Sequence, residues 1–160
     1  YILASTVMKP FLRRKGDALR VTQPDFSGDP FREVVEDCTA SIGVITEQAD
    51  LCRRLKAKPV EVTFQQTLIV RKGCLTERGL YLERQRPAKK TADSGWYVGP
   101  LDQEAPPAAD DLEAMATYHL LKHRPEILKV LALPIGWLAS VDGKRIVDIA
   151  NDKNETVWVG

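Results

Sequence analysis

Cysteine is scarce in this chain, and its number is odd. Cys38, Cys52 and Cys74 lie at wide spacing, which excludes a disulfide framework and any C-x-x-C metal or redox motif. Reduced thiols buried as small hydrophobes are the expectation, and they suit a cytosolic protein. Long apolar runs are missing too. The most apolar stretch, Ile127 to Leu138, is interrupted by Lys129, Pro134 and Gly136 and falls short of the roughly 18 residues that a membrane span needs. The opening run Tyr1 to Met8 has no basic stretch before it and leads into Lys9-Pro10-Phe11. It reads as an N-terminal strand rather than a secretory apolar region. There is no internal repeat and no low-complexity tract.

Catalytic constellations are absent as well. His119 and His123 are four apart, the spacing of a zinc-protease helix. Leu120-Leu121-Lys122 stands between them, without the glutamate that follows the first histidine and acts as base. An ordinary helix with one inward and one outward histidine is the expectation. No thiol sits in a motif that would lower its pKa. Ser94-Gly95 lacks the flanks of a strand–elbow–helix nucleophile, and no phosphate-binding or dinucleotide fingerprint occurs. The expectation is a protein that is not an enzyme, with no cofactor and no metal.

What is present is a chain of 160 residues, 44% of them hydrophobic and 28% charged, about one domain's worth with a sizeable core. Its charge is unevenly spread. From Arg53 to Lys90 there are eleven Lys and Arg against Glu61, Glu77 and Glu83. Between Lys90 and Lys122 there is no Lys or Arg, and Asp93, Asp102, Glu104, Asp110, Asp111 and Glu113 fill the gap. Such segregation steers a charged partner. The basic stretch keeps a nucleic-acid-binding module open as an alternative, although a pI near 7.9 and the lack of a binding motif make nucleic acid the weaker partner. A non-toxin interaction or adaptor domain is the other alternative.

Periodicity predicts one or two strands with turns in the first 30 residues. Asp29-Pro30 forms a helix start. Phe31, Val34, Val35 and Cys38, then Ile42, Ile45, Ala49 and Cys52, carry the helix to about Leu55, with Gly43 a candidate break. Val60, Val62 and Phe64 alternate as a strand, and Thr67 to Val70 extends or follows it. Lys72-Gly73 turns into a hairpin partner over Cys74 to Glu83, and Gly95 to Gly99 is a further strand. Pro100 to Ala109 is a loop. Asp110 or Asp111 then caps a helix to about His123 with Leu112, Met115, Ala116, His119 and Leu120 inward. Pro125 begins a second helix, and Asp142-Gly143 closes a final hairpin. The expected fold is α+β, an antiparallel meander sheet packed against helices in a single domain, with a helical part over residues 30–56.

One set of motifs carries a resemblance. Gly79-Leu80-Tyr81-Leu82-Glu83-Arg84-Gln85-Arg86-Pro87, then Asp93-Ser94-Gly95-Trp96-Tyr97-Val98-Gly99, then Pro125, Ile127, Leu131, Pro134, Ile135 and Gly136 resemble the thirty-third catalogued immunity-protein family of bacterial polymorphic toxin systems. The likeness covers roughly residues 74–147. It departs after the tryptophan strand, where the family's acidic Gly-Asp-Glu is replaced by Gly99-Pro100-Leu101-Asp102-Gln103-Glu104. The resemblance implies a cytosolic protein that binds a cognate toxin one-to-one and blocks it. Asp102, Glu104, Asp110, Asp111 and Glu113 would contact a basic cleft, and exposed aromatics such as Tyr97 or Trp158 would add a hot spot. Asp93, Ser94, Gly95 and Trp96 are expected to act as scaffold: a turn, a close approach and a buried anchor.

Overall fold

A computed structural model describes residues 11–89 and 91–160. The strand expected from Tyr1 into Phe11 lies, up to Pro10, outside the described residues. From Phe11 the chain forms a hairpin of β1 (Phe11–Lys15) and β2 (Ala18–Pro24), which turns at Gly16 with φ +62. β2 also pairs with the two-residue β3 (Val34–Val35) to complete a three-stranded sheet. The helix expected from Pro30 is therefore confined to one turn. Asp29 does cap it, accepting the Phe31 N–H at 3.0 Å on its carboxylate and the Glu33 N–H at 2.8 Å on its carbonyl. Val34 and Val35 then leave to pair with Pro24 and Gln23, and strand pairing overrides the helical spacing.

The helix itself, α1, spans Thr39–Arg54 and passes through Gly43 unbroken. Its buried stripe is Ser41, Ile45, Gln48, Leu51 and Cys52, so Ile42 stays exposed and polar residues take part of the inner face. Gln48 explains why: its amide donates to the Leu128 carbonyl at 2.7 Å, a bond that an apolar residue cannot make. The helix ends in a Schellman arrangement. The Ala57 N–H reaches the Cys52 carbonyl at 2.9 Å and the Lys56 N–H the Arg53 carbonyl at 3.2 Å, with Lys56 left-handed at φ +53.

Residues 60–64 keep the burial alternation of a strand, with Val62 and Phe64 buried, but they join no sheet. The Val60 N–H donates to the Ala132 carbonyl instead, at 2.9 Å. Seven strands form the main sheet: β4 (Thr67–Arg71), β5 (Gly79–Arg84), β6 (Asp93–Pro100), β7 (Leu112–Ala116), β8 (Leu138–Asp142), β9 (Arg145–Ala150) and β10 (Thr156–Val159). Their order is β10-β9-β8-β5-β6-β4-β7. All pairs are antiparallel except β4 with β6, so the α+β class with a largely antiparallel sheet holds. β4 and β5 are not hairpin partners, because β6 lies between them. Leu112–Ala116 is a strand rather than the start of a helix, pairing along β4 from Arg71↔Leu112 to Thr67↔Ala116. Helix resumes only at α2 (Leu120–His123), followed by a 3-10 stretch over Pro125–Ala132. The final hairpin turns at Gly143, φ +60.

One face of this sheet carries Leu68, Val70, Leu80, Leu82, Trp96, Val98, Ala139, Val141 and Ile149. It packs on Leu51 and Cys52 of α1, on Val62 and Phe64, and on Leu120, Ile127, Leu128 and Leu131. Two buried arginines stitch irregular backbone into this core. Arg84 donates to the carbonyls of Val60, Leu131 and Leu133 at 3.1, 3.1 and 2.7 Å. Arg124 donates to those of Leu75, Glu77 and Gly143 and to the Glu126 carboxylate.

Candidate functional site

Alternation along the strands sends the intervening residues to the opposite face of the sheet. On β5, Leu80, Leu82 and Arg84 are buried, while Tyr81 and Glu83 stand on the outer side and are half-buried. Tyr97 of β6 lies directly across from Glu83, and Ile69 of β4 lies beside Tyr97. These side chains floor a groove of about 500 Å³ whose walls include Gln85, Arg86, Asp93, Gln103, Pro106, Pro107 and Leu112. The 101–109 loop is fastened over it by the Tyr97 hydroxyl, which donates to Gln103 Oε1 at 2.6 Å. Tyr81 donates to Glu83 at 3.3 Å. Burial, aided by the Glu83 charge, pushes the Tyr81 hydroxyl up to about 12, and burial raises that of Tyr97.

The Asp93-Ser94-Gly95-Trp96 run builds the end of this floor. Asp93 accepts the Gly95 N–H at 2.8 Å and the Ala88 N–H at 3.0 Å on its two carboxylate oxygens. Ser94 Oγ accepts the Trp96 N–H at 3.3 Å. Gly95 is left-handed at φ +81, and a Cβ there would stand 2.2 Å from the Gln85 carbonyl oxygen. Trp96 is 1% exposed, donates its indole N–H to the Leu131 carbonyl at 3.0 Å and lies under the Arg84 guanidinium, 5.7 Å from the ring centre.

Asp102, Glu104, Asp110, Asp111 and Glu113 are all exposed. None lines the groove, but each lies within two residues of one that does: the first two flank Gln103, the others neighbour Leu112. Asp110 and Asp111 form a 3-10 turn, where Asp111 caps the Ala108 N–H at 3.2 Å. Glu113 is exposed on β7, the edge strand, but it pairs with the buried Val70 and so stands on the core side of the sheet, away from the groove. Trp158 is partly buried against the core on β10 at the other edge, so it shares no surface with Tyr97. His119 and His123 are both exposed rather than one inward, and no group of three metal-binding side chains occurs among the described residues. All three cysteines are free and buried. No helix among the described residues is long and apolar enough to cross a membrane.

The Imm33-like domain, a family model, matches residues 47–152. The chain belongs to this immunity-protein family. The match contains the groove, the loop over it and both edges of β6, and it reaches back into α1. No curated protein and no solved structure matches the chain. Within this immunity fold, sequence reasoning missed Tyr81 and Glu83 as groove residues and Arg84 as a core clamp. The i, i+2 spacing of Tyr81 and Glu83 was the available signal. Arg84 carried none, since nothing local distinguishes it from Arg86.

Proposed function

We propose that this chain is a non-catalytic immunity protein that binds one copy of a cognate antibacterial toxin in the cytosol and occludes its active site. The observation that carries this reading is the groove on the outer sheet face, covered by a loop whose charges, Asp102 and Glu104, are both carboxylates. A toxin that acts on nucleic acid or another polyanion carries a basic cleft. The exposed carboxylates Asp102 and Glu104 would steer that cleft onto the groove and fix its orientation. The nucleic-acid alternative loses one of its cations, because Arg84 is buried and bonded to backbone carbonyls.

The test is purification of the tagged chain from its host with identification of what accompanies it. The expected companion is one toxin in equal amount, lethal when expressed alone and harmless when this chain is co-expressed. Recovery of nucleic acid, or of no toxin, refutes the reading. Asp102→Lys and Glu104→Lys together should slow association and flatten its salt dependence. Asp111 is left intact because its carboxylate caps a turn. Unchanged salt dependence would rule this face out.

A further inference from the structure

The floor of the groove holds a carboxylate that pairs with no cation among the described residues. Glu83 accepts one hydrogen bond, from Tyr81, and among the described residues it joins no ion pair. Asp93, the other carboxylate lining the groove, is already engaged by the Gly95 and Ala88 N–H groups. Tyrosine rings stand on two sides of Glu83: Tyr97 directly across the strand pair and Tyr81 two residues back on the same face. A carboxylate with one hydrogen bond and no ion pair keeps acceptor capacity for an incoming cation. Among the described residues Arg86 is the one cation in the lining and Arg71 acts on the Tyr97 hydroxyl from β4; against them stand Glu83 and Asp93, with Asp102 and Glu104 flanking Gln103 above.

We propose that this groove receives one arginine side chain of the bound toxin, its guanidinium paired with Glu83 and its flat face against Tyr97. The inference rests on the immunity reading and supplies the chemistry of the contact. Arginine fits better than lysine because its planar fork meets a carboxylate in two parallel hydrogen bonds while its face stacks on an aromatic ring. Tyr81 and Tyr97 stay neutral at physiological pH, since burial raises both hydroxyls, so the rings offer neutral faces and Glu83 supplies the negative field.

Nα-acetyl-arginine amide and Nα-acetyl-citrulline amide, the same shape without the charge, serve as probes of the isotope-labelled full chain by NMR. The arginine probe should give saturable shifts at the Gly95, Tyr97 and Gln103 amides, with citrulline on the order of tenfold weaker. The response should be lost in Glu83→Gln, an isosteric change whose spectrum also reports that the fold is intact. Equal responses to both probes, no response at the groove, or persistence in Glu83→Gln overturns the proposal. With the toxin in hand, Glu83→Gln should weaken the complex by about tenfold or more. A toxin that binds wild type and Glu83→Gln equally sinks the arginine pocket and leaves the immunity reading standing. Groove-specific arginine binding with no toxin in the host does the reverse.

Discussion

Arg84→Met tests the clamp that joins the sheet to the irregular segments beneath it. The guanidinium is 2% exposed and serves the carbonyls of Val60, Leu131 and Leu133, with Glu61 at a long 3.4 Å. Among the described residues no carboxylate pairs with it, and burial draws it down to about 10, so it remains protonated at neutral pH. Methionine keeps most of the stem's packing and leaves the carbonyls behind. Leu131 retains the Trp96 indole N–H, whereas Val60 and Leu133 have no other donor among the described residues. Two orphaned carbonyls at about 1–3 kcal/mol each, less the relief of no longer burying a charge, give a net loss of about 3 kcal/mol. For a domain of this size that lowers Tm by about 6–12 °C. Arg84→Lys should fall between, because an ammonium cannot reach carbonyls on both sides at once. Thermal and urea melts followed by tryptophan fluorescence read the effect directly. A variant within about 0.5 kcal/mol of wild type, inside the range of a neutral surface change, would show that the network contributes nothing to stability.

Three further outcomes follow from local geometry. Gly95→Ala forces a Cβ against the Gln85 carbonyl oxygen at a left-handed position, and should cost about 3 kcal/mol or more in urea melts; a neutral result would mean that the backbone at Gly95 relaxes freely. Gly43→Ala and Lys56→Gly should each stabilise α1 by about 0.5–1 kcal/mol, the first because open space surrounds an exposed mid-helix glycine, the second because Lys56 holds a left-handed cap. A loss in either would contradict the helix boundaries. Burial pushes the Cys74 thiol up from 9.0 to about 11. The unfolded chain therefore loses that proton first, and the thiol's stabilising contribution, complete below pH 9, disappears as pH rises towards about 11. Urea midpoints should fall across that window, and the fall should be shallower in Cys74→Ala; identical slopes would assign it to other groups.

The elements that sequence revealed best were those in which local chemistry and tertiary pairing agree. Asp142-Gly143 turns where a tight turn dipeptide should, and the Trp96 strand lies where its aromatic and β-branched residues placed it. Leu112–Ala116 shows the opposite case. Leu-Glu-Ala-Met-Ala favours helix, yet β4 presents an unpaired edge that five consecutive residues satisfy. Local propensity carries no information about that neighbour. The parallel pairing of β4 with β6 was hidden for the same reason, since a short turn at Lys72-Gly73 points to a hairpin and says nothing of a strand arriving more than 20 residues later. The acids around the groove were legible as a charge gap. Glu83 was not, because in one dimension it belongs to the basic stretch.

β6 explains why core and groove are built by the same few residues. Its pairing with β4 runs from Thr67↔Asp93 to Ile69↔Tyr97, so two steps on one strand meet four on the other. The excess is absorbed around Gly95, whose φ of +81 only glycine adopts at ease. Beyond the bulge, Trp96 points inward to Leu131 and Arg84, and Tyr97 points outward, beside Ile69 and across from Glu83. A side chain at Gly95 would press on the Gln85 carbonyl, one residue past the end of the strand that carries Glu83. The buried tryptophan and the left-handed glycine thus act on the groove through register, setting which outward residues stand opposite one another. In this protein, scaffold and binding surface are two faces of one strand, and what fixes the first also positions the second.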